Sequence, residues 1–212
     1  ERKKFPERKI AQLKENEKIQ LSKKLQINNS TIVQAFSYGL ENPSRRGAAL
    51  VLASILEAPY YAKMRTEEHL GYIVWSSLDQ QEKNIYQNFI IQSGDYSADY
   101  LKERSNLFIQ SFRAELEKLN EKDLETHKQS IIDRKLEKPK TMGEANAKYF
   151  YKAFEKENDF DHVAKDIVAV KNLSKQDIVA LYDEIVNMNK RKCVTILCYG
   201  SQHEQNVPST TI

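Results

Sequence analysis

With two cysteines, six glycines, five prolines and one tryptophan among 212 residues, the sequence lacks what several protein classes require. The glycines are spread singly, so no Gly-rich loop exists to cradle a phosphate, and no G-x-S-x-G elbow presents a nucleophilic serine. The cysteines, Cys193 and Cys198, share one apolar run, Cys193 to Tyr199. On a strand, an offset of five puts their thiols on opposite faces and about 16 Å apart, beyond disulfide reach. They read as plain buried thiols, compatible with a reducing compartment such as the cytoplasm and equally with a cysteine-poor secreted protein. His69, His127, His162 and His203 all lie more than thirty residues apart, so no pair has zinc-ligand spacing, and no metal site is expected in this chain. His127 and His162 sit in charged helical stretches and read as solvated surface histidines. The longest apolar stretch, Ala48 to Leu56, is far short of the roughly 20 residues a membrane span needs. With neither an initiator Met nor an apolar signal region at Glu1, the expectation is a soluble fragment or processed piece.

What is present begins with charge. The formal net charge is +3, but residues 1–24 hold nine Lys/Arg against four Glu, leaving 24 basic and 26 acidic residues for everything after. A nucleic-acid binder carries its basic excess as a stripe on the folded surface, and here that excess is a head segment, so no nucleic-acid partner is expected. Residues 1–24 read as a linker or the end of a preceding domain, 25–200 as one globular domain and 201–212 as a flexible tail.

Patterning gives the elements. A strand is expected near Ile19 to Gln26, and the β-branched and aromatic run Thr31 to Tyr38 reads as a second, joined through a short Asn28-Asn29 turn. Ser44 can cap a buried helix through Glu57. Pro59 suits the first turn of another helix, which Gly71 would stop. Tyr72 to Leu78 and Ile85 to Ser93 read as paired strands joined by a polar loop, Asp79 to Asn84. Beyond Gly94 the pattern turns helical. Leu101, Ser105, Phe108, Ile109, Phe112 and Leu116 line one face, Asn120 can cap the next helix, and Thr141 and Ser174 open capping-box spacings. A last strand covers Lys192 to Tyr199. This clustering predicts an α+β fold with helices on one face of a largely antiparallel sheet.

The chemistry concentrates in Arg65-Thr66-Glu67-Glu68-His69-Leu70-Gly71-Tyr72, at a helix-to-strand junction. Glu68-His69 repeats the second half of the inverted zinc motif H-x-x-E-H, with Arg65 standing where the first histidine belongs. A fixed cation repels the metal it would have to help bind. Arg65 offers a permanently charged donor fork for carbonyl or carboxylate oxygens, and the Tyr72 hydroxyl can donate to an oxygen that gains charge during acyl transfer. The plainer reading pairs Arg65 with Glu68 or His69 along its own helix turn and makes Tyr72 an ordinary strand opener. Spacing alone leaves both open. Lys138-Pro139-Lys140, preceded by Arg134-Lys135, forms a basic corner that suits either an anion or a solvated helix end.

Taken together, Arg65-Thr-x-Glu-x-Leu-Gly-Tyr72-Ile-Val, Phe89-Ile-Ile-Gln-Ser93, Leu136-x-Lys-Pro-Lys140, Ala147-Lys-Tyr149 and Leu173-Ser-Lys-x-Asp-Ile178 resemble the insulysin branch of the insulysin and pitrilysin metallopeptidases. The similarity runs over roughly residues 25–190 with order and spacing kept. The resemblance implies helices packed on an antiparallel sheet, and a C-terminal domain in the half of the protein that lacks the zinc motif. It implies peptide substrates, zinc held by a separate N-terminal half, and a role for this domain in closing the catalytic chamber. Arg65 would grip a substrate carbonyl and Tyr72 would help stabilise the tetrahedral intermediate. A structural or assembly subunit of the same family is the alternative.

Overall fold

Strict alternation builds the sheet. In β2 (Ser30–Leu40) Ile32, Gln34 and Phe36 are buried while Thr31, Val33 and Ala35 between them are half-buried, and β4 (Asn84–Ser93) and β5 (Cys193–Tyr199) repeat the pattern. With β1 (Lys18–Lys24) and β3 (Ile73–Gln81) they form one five-stranded sheet in the order β1-β5-β2-β4-β3. Every pairing is antiparallel except the parallel β1–β5 edge. The computed structural model describes residues 10, 12–156 and 159–206. The first nine residues of the basic head and positions 207–212 of the tail lie outside them.

The expected turn at Asn28-Asn29 does not join neighbouring strands. The last strand, β5, inserts between β1 and β2, and the link from Lys24 to Ser30 passes over its end. Leu25 donates from its backbone N–H to the Tyr199 carbonyl (2.8 Å) and Ser201 to that of Ile27 (3.1 Å). Gly200 fits there because a Cβ on it would meet the Asn29 backbone nitrogen at 2.8 Å. Residues 174 positions apart thus become partners, which short-range patterning cannot register.

There are six α-helices among the described residues, and the first, second and sixth pack directly on the buried sheet face. The six are α1 (Pro43–Tyr61), α2 (Ala98–Lys118), α3 (Glu121–Leu136), α4 (Met142–Phe150), α5 (His162–Asn172) and α6 (Lys175–Val186). The α+β prediction therefore describes the molecule. The Asn120, Thr141 and Ser174 caps are in place, and only Ser174 with Asp177 completes a reciprocal capping box. The start of α1 differs from expectation. Asn42, not Ser44, accepts the Arg45 N–H (2.8 Å), with Pro43 in the tolerated first turn.

Nor does Pro59 begin a new helix; it lies inside α1. An interior proline costs about 3 kcal/mol through a lost hydrogen bond and a ring clash. That cost is offset because one continuous helix buries Leu52, Leu56 and Tyr60 completely against the sheet. Tyr60 sits edge-on to both Phe89 of β4 (4.9 Å) and Phe108 of α2 (5.1 Å), and its hydroxyl meets Ser105 Oγ at 3.1 Å. Past Tyr61 the helix widens into a π-helical turn, Ala62–Glu67, in which Glu68 N–H reaches back five residues to the Lys63 carbonyl. Such wide turns re-aim side chains and recur at functional sites. This one carries Arg65.

Candidate functional site

The passage from Met64 to Tyr72 is fixed at four points. Met64 and Leu70 are buried plugs, 1% exposed each, and Leu70 N–H donates to the Met64 carbonyl at 2.9 Å. Between them the Glu68 carboxylate takes a two-pronged bond from Arg104 of α2, Nε at 2.7 Å and Nη2 at 2.8 Å. That guanidinium holds the Glu68 carboxyl below the usual carboxylate range. His69 then adopts φ 52°, the left-handed conformation that reverses the chain. Gly71 is not the residue that stops the helix, as patterning suggests. It is required because a Cβ there would lie 2.0 Å from the Gln92 carbonyl oxygen.

These constraints bring Arg65 and Tyr72 together. Arg65 Nη1 donates to the Gly71 carbonyl at 2.8 Å, and its Cζ stands 5.1 Å from the centre of the Tyr72 ring, a cation–π contact. Tyr72 is 83% exposed. The pairing of Arg65 with Glu68 does not form, because Arg104 occupies Glu68. Arg65 is thus held by one backbone carbonyl and one ring face, with further N–H donors of its fork left without a protein acceptor among the described residues. A cation beside an exposed phenol can bind and polarise an oxygen, but it contains no nucleophile and no base.

The octet does not fit zinc. Arg65 stands at the would-be ligand position, Glu68 is spent on Arg104, and among the described residues no group of three or more His, Cys, Asp or Glu could hold a metal ion. The cysteines lie as expected on opposite faces of β5, and burial pushes the Cys193 thiol pKa up, away from nucleophilic use. The two helical histidines are not solvated. His162 is 7% exposed with Nδ1 2.9 Å from the Asp159 carbonyl, and His127 is half-buried with Nδ1 2.9 Å from Ser54 Oγ. Burial lowers both imidazole pKa values, so the neutral form is favoured. At the basic corner, Lys135 is committed to Asp166 (2.7 Å) and Lys140 to Glu137 (2.8 Å), which removes part of its positive field.

The fold and the site together define an α+β domain that sets a guanidinium beside an exposed phenol. Residues 51–150 match the family described as PQQ synthase PqqF-like, C-terminal lobe domain 4. The chain is 30% identical over 154 residues to the A-factor-processing enzyme of Saccharomyces cerevisiae, covering 73% of this chain and 15% of that protein. It is 28% identical over 159 residues to the insulin-degrading enzyme of Homo sapiens, covering 75% and 16%. The crystal structure of pitrilysin shares the fold, with a TM-score of 0.80 at 22% identity over 91% of this chain and 21% of that one. The chain belongs to the insulysin and pitrilysin family of peptidases, as a C-terminal domain. It spans less than a quarter of the length of each of these relatives.

Proposed function

We propose that this chain is the non-catalytic C-terminal domain of a zinc endopeptidase, closing the catalytic chamber and presenting Arg65 and Tyr72 to a peptide bound at zinc in the N-terminal half. The observation that carries this reading is the Arg65 guanidinium set 5.1 Å from the ring of a tyrosine that is 83% exposed. Tyr72 buries little of its ring within this domain, and Arg65, with Glu68 taken by Arg104, keeps donors available to a bound oxygen. In this reading Arg65 donates to a substrate carbonyl and positions the peptide. The Tyr72 hydroxyl donates to the oxygen that becomes negative as the tetrahedral intermediate forms, a bond stronger there than in the ground state. Bound zinc in the other half would supply the Lewis acid and the activated water.

The test uses the full-length protein. Tyr72→Phe should lower kcat by about 10- to 1000-fold with KM little changed, the range for loss of one oxyanion donor. The isolated 212 residues should cleave nothing. Cleavage by the isolated chain, or an unchanged kcat in Tyr72→Phe, would overturn the assignment; the latter would return Tyr72 to ordinary packing, whereas a full-length protein that cleaves no peptide with zinc would favour an assembly subunit.

A further inference from the structure

The turn that carries Arg65 holds two cations and two carboxylates, Lys63 and Arg65 with Glu67 and Glu68. Left to itself such a turn neutralises its own charge. Glu67 follows Lys63 by four residues and Glu68 follows Arg65 by three, both spacings that bring side chains together on a helix. The first pair forms, with Lys63 Nζ 2.8 Å from Glu67 Oε2. The second does not, because Glu68 is held from outside the turn by Nε and Nη2 of Arg104, while Lys63 stands farther off at 3.7 Å. One cation brought in on α2 therefore leaves one cation of the turn over, and that cation is Arg65.

Glu68 controls the outcome because it is the more shielded acid, its side chain 14% exposed against 60% for Glu67. A carboxylate so far out of water takes the best cation within reach. Arg104 offers a parallel donor fork, whereas Lys63 is a single point charge already bonded to Glu67. Without Arg104 the guanidinium nearest in the chain is Arg65, kept in place only by the Gly71 carbonyl (2.8 Å) and the Tyr72 ring (5.1 Å). Those neutral partners hold a guanidinium less strongly than a shielded carboxylate does. We propose that Arg104 is a positioning residue for peptide binding: by occupying Glu68 it keeps the Arg65 fork open to a substrate carbonyl. Arg104 acts by withholding a competitor, with no contact of its own to the peptide. This role rests on the reading of Arg65 as a peptide-binding group.

The test is peptide hydrolysis by the full-length protein. Arg104→Met keeps an apolar stem against the helix and removes the fork. It should raise KM about ten- to hundredfold, the range for one hydrogen bond from a charged donor, and change kcat far less. Adding Glu68→Gln to Arg104→Met removes the competitor and should restore most of the lost affinity. A bond that serves only to fasten the π-helical turn to α2 predicts no such rescue, since the double variant still lacks it. In crystals of Arg104→Met, Arg65 should be found on the Glu68 carboxylate. An unchanged KM in Arg104→Met, a double variant no better than the single, or an Arg65 still on the Gly71 carbonyl would overturn the positioning role. Should Arg104→Met fail to fold, Arg104→Lys, which keeps the charge but loses the fork, should give a smaller rise in KM that Glu68→Gln again reverses; an unchanged KM or no reversal there would overturn the role equally. Arg65→Ala, measured alongside, separates the two readings. Unchanged kinetics in Arg65→Ala remove the peptide-binding reading and the positioning role with it. A raised KM in Arg65→Ala beside an unchanged one in Arg104→Met removes the positioning role alone.

Discussion

Single residues in the octet do work that their type alone does not announce. Gly71 matters because the backbone of β4 passes directly over it, so Gly71→Ala places a methyl 2.0 Å from the Gln92 carbonyl oxygen. The strand must shift to admit it. The expected cost is about 3 kcal/mol, at the high end for one substitution, read as a fall in urea midpoint with unchanged slope. The same change should loosen Arg65, which bonds the Gly71 carbonyl. The sequence showed a glycine between a helix and a strand and suggested a helix stop. The stop is His69, a residue type that tolerates positive φ better than most, and nothing in the local pattern marks it. Arg65 and Tyr72 were legible as candidates from their spacing and from the family likeness. Their contact was not, because it depends on Arg104, 36 residues from Glu68, removing the competing carboxylate.

At the scale of elements, the π-helical turn is tied to α2 by the Glu68–Arg104 pair, and that tie is sensitive to pH. The Glu68 carboxyl titrates below its ordinary value of 4.5, chiefly through its hydrogen bonds to Arg104. A group whose folded pKa is depressed contributes stability above its unfolded pKa and loses it as pH falls through the folded value. The contribution should therefore be whole at neutral pH and fade on acidification below pH 4.5. Melting temperatures measured from about pH 3 to 7 should fall more steeply at the acid end for the wild type than for Glu68→Gln, whose residue 68 does not titrate. Equal slopes would mean that the pair adds nothing. The element pattern itself was read well where the period was long, as along α2. It failed at α1, where proline was taken as a boundary, because the burial that outweighs the proline comes from a sheet distant in sequence.

Across the whole molecule, a buried ion cluster fastens the helical layer. Asp166 of α5 is 1% exposed and accepts from Arg46 Nε of α1 (2.6 Å) and from Lys135 Nζ of α3 (2.7 Å). Arg46 also reaches Glu41 (2.9 Å), which in turn holds Lys156 (3.2 Å). Removing one member leaves buried charge without its partner. Asp166→Ala should cost about 3 to 5 kcal/mol in chemical denaturation, and a Leu at position 166 should not rescue it while Arg46 and Lys135 remain. A loss below about 1 kcal/mol would show that water compensates the two cations. Asp166 sits in an ordinary amphipathic helix and carries no sign of this role in the sequence, since its partners are 120 and 31 residues away.

The sequence by itself determined the fold class, the helix caps at Asn120, Thr141 and Ser174, the opposite faces of the two cysteines and the two residues on which a functional reading rests. Each of these depends on periodicity, capping chemistry or motif spacing within a few turns of chain. Only the tertiary structure decided that β5 separates β1 from β2, that Arg104 takes Glu68 and leaves Arg65 to Tyr72, and that Asp166 meets Arg46 and Lys135. Those outcomes depend on which distant segments meet. The free energy that selects them is buried area and paired charge summed over the whole core, and no short window of sequence contains it.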